Sequence, residues 1–375
     1  MRAVVVHGAG DLRIDERPDP VAGPGEVVLA VEWGGICGSD LSYWKHGASG
    51  TARLVDPLVL GHEFAGRIAR LGEGVEGWEI GQAVTVHPSE LVGDPGLPER
   101  IAGRTNLHPA IRYYGSAAFH PHADGGFSEA KTVLAHQLRA LPDGVDTRHG
   151  ALAEPLAVAM HAVRRAGDVR GRDVVVNGAG PIGSLLIAAL RHAGAGRITA
   201  ADLSAASLAI ARRMGADETR DVSAGEALPE DSELVFEASG APAALGAVLH
   251  ATARGGTVVQ VGNLPGAPAP AALGDLVTRE ITWIGSFRFV DEITDAVAAM
   301  RDGLDLSPLM THEFDLADAE EALRTAADPA SGSSKVMLRL GGRRTEPEDG
   351  PAQDPAPVQK ETPVQNETPV KKEAL

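Results

Sequence analysis

The stretch from Arg172 to Ser204, RDVVVNGAGPIGSLLIAALRHAGAGRITAADLS, constrains this chain more than any other. Val174, Val175 and Val176 make an apolar, β-branched run of the kind a fully buried parallel strand needs. Gly178-Ala179-Gly180-Pro181-Ile182-Gly183 follows at once, and Ile182, Leu185, Leu186, Ala189 and Leu190 then recur at helical spacing. A second strand, Arg197 to Ala201, delivers Asp202, about 20 residues beyond the last of these glycines. Such glycines permit a tight turn, a close backbone approach to a pyrophosphate and close helix-on-sheet packing. The helix start offers free N–H groups and the positive end of a dipole to the phosphates. Asp202 stands where a carboxylate accepts hydrogen bonds from the adenosine ribose. Strand, glycines, helix, strand and acid in register predict a dinucleotide site on Gly178, Gly180, Pro181, Ile182, Gly183 and Asp202.

The rest of the chain must accommodate that unit. Its 375 residues are enough for two domains. Aromatic residues make up only 4% of the chain, so Val, Ala and Leu must fill most of the cores. No run of about 18 apolar residues occurs, which excludes a transmembrane helix. The opening residues, MRAVVVHGAG, read as a strand rather than a leader, so a soluble, cytoplasmic protein is expected. A net charge of −17 argues against nucleic acid or an anionic membrane as partner. The single cysteine rules out an intramolecular disulfide and gives Cys37 unusual weight.

Residues 1–150 show short β-rich segments punctuated by Gly and Pro, with Ala3–Val6, Glu26–Val31, Gly66–Leu71 and Ala83–Val86 the clearest strands. This pattern is all-β and barrel-like. From 151 the rhythm turns to alternating helix and strand. Ala205–Met214 reads as an amphipathic helix, and Leu234–Glu237, Thr257–Val261 and Ile281–Ile284 as further buried strands of a doubly wound sheet. Ser239 ends one of these strands and Val261-Gly262-Asn263 another, positions that line a cofactor cleft and lie along a nicotinamide. Past residue 287 come helical segments Asp291–Arg301 and Asp318–Ala327 and a closing strand, Lys335–Leu340, which return to the first domain. The expected division is therefore 1–150 completed by 288–340, then 151–287, with 341–375 a disordered tail carrying the hexads PVQKET, PVQNET and PVKKEA.

Three further stretches carry chemistry. Cys37 lies in Gly35-Ile36-Cys37-Gly38-Ser39-Asp40, His62 and Glu63 in Gly61-His62-Glu63-Phe64-Ala65-Gly66, and Glu154 in Ala151-Leu152-Ala153-Glu154-Pro155. A thiolate, an imidazole and a carboxylate with one position left open are what a catalytic zinc needs.

These motifs, in the order GxCGSD, GHEFAG, ALxEPL and GAGPIG, resemble the zinc-dependent medium-chain dehydrogenase/reductase family, and within it the polyol branch. The similarity covers about residues 1–340. It implies a GroES-like β-barrel catalytic domain, a Rossmann domain with a doubly wound parallel sheet, and a zinc in the cleft between them. It implies that Cys37 and His62 are zinc ligands, that Glu63 is a ligand or exchanges as one, and that Glu154 stands beside the zinc-bound water. Which of Glu63 and Glu154 is the resting ligand stays open. Ser39 matches the hydroxyl that hands on the substrate proton. Ser42 stands where relatives often carry a relay histidine, so the proton leaves through Ser42, a water or His46. Arg288 and Tyr43 are placed at the substrate end of the cleft. A homodimer or homotetramer is the implied assembly.

One departure concerns the stretch 87–112, where many members hold a second, structural zinc on four cysteines. This chain has none there, so one catalytic zinc and no structural zinc are expected. His108, His120, His122 and Asp124 match no metal-ligand spacing and read as loop residues. NAD is the expected coenzyme, with NADP the alternative, because Asp202 repels a 2′-phosphate and Leu203–Ser207 offers no arginine to receive one. Tyr113–Ala117, leading on to Asp124–Phe127, is most similar to the members that oxidise L-idonate at C5 to 5-keto-gluconate. Arg288, Arg112 and Lys45 are the candidates to receive the carboxylate of such a sugar acid. The alternatives are a sorbitol- or xylitol-type polyol dehydrogenase, a zinc-free quinone or enone reductase, and a non-catalytic NAD-binding scaffold.

Overall fold

The computed structural model describes residues 1–93 and 96–341. The tail expected from 341 onward lies, apart from Gly341, outside the described residues. No helix among the described residues is long and apolar enough to cross a membrane.

Two sheets dominate. The first is seven-stranded, and its central strand, Glu26–Gly35, pairs antiparallel with Glu63–Leu71 along one side. Along its other side that strand changes partner: Ala130–Leu134 covers Glu26–Ala30, and Lys335–Arg339 covers Trp33–Gly35. Met310–Asp315 extends the sheet beyond Lys335–Arg339, while Ala83–Val86 and Leu138–Ala140 extend it beyond Glu63–Leu71. Met310–Asp315 and Lys335–Arg339 thus join a sheet otherwise built from residues 26–140. Val27, Leu29, Val31, Phe64, Phe127, Val336 and Leu338 are buried together in its core.

The second sheet is parallel and six-stranded. Counted in chain order its strands run 3-2-1-4-5-6, from Glu218–Asp221 through Ile198–Asp202, Val174–Asn177, Ser232–Glu237 and Thr252–Gln260 to Thr282–Gly285. That order is the Rossmann arrangement, whose ligand crevice opens where the order reverses, between Val174–Asn177 and Ser232–Glu237. The helix Pro181–His192 buries Leu185, Leu186, Ile187 and Leu190 against the sheet, as its apolar spacing requires.

Two expectations need correction. The first region is not all-β, since Gly38–His46 forms a helix. It has no apolar stripe to announce it, because its buried residues are Asp40 and Tyr43. Neither is the strand at 281–284 a fully buried one. It runs Thr282–Gly285 at the sheet edge, with one neighbour and with Thr282 and Gly285 exposed. A strand with one side unpaired cannot be covered as an interior one is.

Candidate active site

Cys37 is the N-cap of the helix Gly38–His46. The carboxylate of Asp40, fully buried in the first turn, accepts the Cys37 N–H at 2.9 Å and the Gly61 N–H at 3.1 Å. One side chain therefore fixes the backbone beside both Cys37 and His62. Burial pushes the Asp40 carboxyl up from its ordinary range, against the pull of His62 and these two N–H donors.

The thiol of Cys37, the imidazole of His62 and the carboxylate of Glu63 offer donor atoms all within 4.8 Å of one another. His62 and Glu63 are buried. Glu63 opens its strand opposite Gly35, where a Cβ would collide with the Glu63 carboxylate. Its two oxygens accept from Lys335 Nζ at 2.9 and 2.7 Å, and the same ammonium donates to the Ile36 carbonyl at 3.1 Å. Burial alone would push Lys335 down, but Glu63, with Cys37 and Glu154 beyond it, carries it above the ordinary lysine value. Burial would likewise lower His62, yet the neighbouring Cys37 sulfur and the Glu154 and Asp40 carboxylates hold it well above the usual histidine range. A concentration of negative groups around one imidazole is the electrostatic setting a divalent cation fits. Sulfur, nitrogen and oxygen donors are also the set zinc takes.

Glu154, in the first turn of the helix Ala153–Arg165, is buried and accepts the Tyr113 hydroxyl at 2.5 Å. Burial raises its carboxyl, and Glu63 adds to that rise. Burial and Glu154 together raise the Tyr113 phenol well above its ordinary value, so the phenol stays protonated and donates. Tyr113 also meets the His62 ring edge-on at 5.6 Å. The Arg288 guanidinium lies over the Tyr113 ring, 4.0 Å from its centre. No carboxylate among the described residues lies within ion-pair distance of Arg288.

Ser39 and Ser42 are half-buried and His46 is exposed. All three lie on one helix at i, i+3 and i+7, a single face leading outward from Cys37. Tyr43 is placed differently from the expectation: it is buried, and its hydroxyl accepts the Ala117 N–H at 3.0 Å, so it pins the loop at 117. Of the other candidate anchors, Arg112 is drawn to Glu90 at 3.7 Å and lies over Phe119, while Lys45 is exposed. His120 pairs with Asp56 at 2.6 Å, His122 accepts from Val55 N–H at 3.0 Å, and Asp124 accepts from Val59 N–H at 2.9 Å. Those three are engaged with the loop and do not converge.

The dinucleotide elements meet at the crevice of the parallel sheet. Gly180 caps the helix, with Pro181 at its first position, and no side chain occupies its N–H groups. A Cβ on Gly183 would strike the Gly178 carbonyl, whereas the space above Gly180 is open. That open cradle at a helix start fits a pyrophosphate. Asp202 ends its strand and accepts from Ala179 N–H at 2.6 Å and Ser204 N–H at 2.8 Å. On the far side, the Glu237 carboxylate receives the N–H groups of Ser239 at 2.9 Å and Gly240 at 3.1 Å, while Val261 and Gly262 donate to its carbonyl, both at 2.9 Å. Gly240 in turn packs on Asn263. Ser239, Val261, Gly262 and Asn263 therefore form one wall of the crevice.

Residues 23–143 match the alcohol dehydrogenase GroES-like domain, and residues 181–302 match the zinc-binding dehydrogenase domain. The chain is 37% identical over 318 residues to L-idonate 5-dehydrogenase (NAD(P)(+)) of Escherichia coli, covering 83% of this chain and 91% of that one. It is 36% identical over 355 residues to sorbitol dehydrogenase of Gallus gallus, covering 90% and 96%. The crystal structure of the Escherichia coli L-idonate 5-dehydrogenase superposes with a TM-score of 0.82, over 90% of this chain and 97% of that one, at 35% identity. A zinc-binding dehydrogenase from Sinorhizobium meliloti, solved bound to NADP, superposes at 0.81 over 90% and 98%, with 30% identity.

The chain belongs to the zinc-dependent medium-chain dehydrogenase/reductase family, and its fold is a GroES-like domain joined to a Rossmann domain. Within that family it is a zinc-dependent dehydrogenase of the polyol branch.

Sequence reasoning missed Asp40, Tyr113 and Lys335. Asp40 and Tyr113 stand inside motifs that it quoted. Lys335 gave no signal, because nothing in KVMLRL shows that its first residue turns inward.

Proposed function

We propose that the chain oxidises a secondary alcohol of a sugar acid, L-idonate to 5-keto-gluconate, with NAD as hydride acceptor and one zinc per chain. The observation that carries the reading is Arg288, a guanidinium 4.0 Å from Tyr113 and without a carboxylate of its own. A sugar acid brings that carboxylate; sorbitol does not. An arginine can grip it with two parallel hydrogen bonds.

Cys37 and His62 would hold the metal, with Glu63 or Glu154 as the oxygen donor. A zinc bound there polarises the alcohol oxygen and lowers its pKa. Ser39 takes the proton, and Ser42 and His46, on the same helix face, carry it outward. Tyr113 keeps one Glu154 oxygen oriented by donating to it. Residues 1–150 with 288–340 act as the catalytic domain and 151–287 as the cofactor domain, with water excluded between them during hydride transfer. NAD is favoured over NADP by the Asp202 carboxylate. Arg212, the nearest basic residue on the following helix, is turned to Thr219 at 2.6 Å instead. A homodimer or homotetramer is the expected assembly.

The test is a comparison of kcat/KM for L-idonate, sorbitol and xylitol. Idonate is expected to lead by at least about tenfold, or about 1.4 kcal/mol of transition-state binding, and Arg288→Ala to erase most of that lead. A lead for sorbitol in the unmodified enzyme contradicts the substrate assignment.

A further inference from the structure

Arg288 occupies an unusual backbone conformation, with φ at 49°, in the left-handed region that a non-glycine residue rarely adopts. Something must hold it there. Ser286–Asp291 joins the last Rossmann strand to the helix Glu292–Arg301, and its backbone groups are taken up by distant side chains and by Glu292 at the helix start. The Phe287 carbonyl accepts Asn106 Nδ2 at 2.7 Å. The Val290 carbonyl bonds His87 Nε2 at 2.9 Å, and the His87 ring packs on Phe289 with centroids 4.9 Å apart. The Val290 and Asp291 N–H groups donate to Glu292 Oε2 at 2.7 and 3.2 Å.

Asn106 is itself fixed. It is 3% exposed, in the short turn Thr105–Leu107, and Nδ2 also lies 3.4 Å from His161 Nε2. His161 Nδ1 is 2.9 Å from Glu292 Oε1, an acceptor, so Nδ1 carries the proton and Nε2 is left to accept from Asn106. The amide orientation follows from this. Both Asn106 N–H groups are directed, one to His161 and one to Phe287, and reversing the amide would set its oxygen against the Phe287 carbonyl. Asn106 therefore holds Phe287, the residue immediately upstream of the left-handed turn at Arg288, and the Arg288 guanidinium lies over Tyr113, which donates to Glu154.

We propose that Asn106 is a positioning residue for the acidic end of the substrate: by holding the Phe287 carbonyl it keeps Arg288 in the left-handed conformation that lays its guanidinium over Tyr113. The inference rests on the reading of Arg288 as the carboxylate anchor. Without the Asn106 bond, the Phe287 carbonyl is left unpaired in a partly buried position, and the peptide is free to turn so that Arg288 relaxes to negative φ. The guanidinium then leaves Tyr113. Neutral polyols, which do not use the anchor, are unaffected.

The experiment is a double-mutant cycle on Asn106→Ala and Arg288→Ala in the zinc-loaded enzyme, with KM and kcat measured for L-idonate and for sorbitol. Asn106→Ala is expected to raise the idonate KM about tenfold (about 1.4 kcal/mol), with kcat changed less than about twofold and the sorbitol constants unchanged. In the Arg288→Ala background it is expected to have no further effect on idonate. If Arg288→Ala abolishes the idonate preference and Asn106→Ala does not, the positioning role is overturned while the anchor stands. If neither abolishes it, the anchor reading fails and the positioning role with it. A loss shared equally by idonate and sorbitol overturns the proposal too, since that is what a merely structural residue would show. Should Asn106→Ala not fold, Asn106→Ser, whose hydroxyl is too short to reach the Phe287 carbonyl, replaces it in the same cycle.

Discussion

Replacing Lys335 by methionine keeps the stem of the side chain and removes its charge. Lys335 and Glu63 expose 3% and 1% of their side chains, and the ammonium bonds both Glu63 oxygens and the Ile36 carbonyl. The substitution leaves a carboxylate buried without its cation, a change that costs about 3–5 kcal/mol when one partner of a buried pair is removed. A divalent metal at Cys37 and His62 offers Glu63 a second cation, so the zinc-loaded protein is expected to lose much less, about 1 kcal/mol for the unpaired Ile36 carbonyl. Urea unfolding of wild type and Lys335→Met, each with zinc and after chelation, measures both losses. The double variant Lys335→Met, Glu63→Gln, which buries no charge, is expected to recover most of the stability of the metal-free protein. A metal-free Lys335→Met protein that loses less than about 1 kcal/mol, or that loses as much with zinc as without, refutes this reasoning.

Ser39→Ala is expected to lower kcat by about two to four orders of magnitude, the range for a positioned proton-transfer group. Full activity at neutral pH would show that the proton leaves another way. Glu292 gives a pH-dependent expectation: burial would raise its carboxyl, but bonds from His161, Val290 N–H and its own N–H hold it at about 2 against an ordinary 4.5. A depressed carboxyl stabilises the fold above about 4.5 and loses that contribution as pH falls toward about 2, up to about 3 kcal/mol in all. The gap in urea midpoint between wild type and Glu292→Gln is therefore expected to narrow as the pH falls below 4.5. A gap independent of pH would contradict it.

The cofactor half of the molecule was legible because its signals are local. A β-branched run, glycines and a helical apolar stripe follow one another within Arg172–Ser204, and the strand Val174–Asn177, the helix Pro181–His192 and the strand Ile198–Asp202 form where that pattern puts them. Cys37, His62 and Glu63 were legible as chemistry, and the fold brings their donor atoms together. The helix that carries Ser39 and Ser42 was not, because it buries a carboxylate and a phenol rather than an apolar stripe. Lys335 reaches Glu63 across 272 residues of sequence, and Asn106 reaches Phe287 across 181. Such pairings are set by sheet order and loop docking, which leave no trace in residue spacing. Tyr43 shows the converse. The family resemblance put it at the substrate end of the cleft, whereas it is buried and its hydroxyl accepts the Ala117 N–H.

The claim on which the mechanism depends is a single zinc at Cys37 and His62. Metal analysis of the purified protein, alongside Cys37→Ala and His62→Ala, tests it most directly. The expected result is one equivalent of zinc per chain in the wild type, and almost none in either variant while both remain folded. Two equivalents in the wild type, or a full equivalent retained by Cys37→Ala, would contradict it.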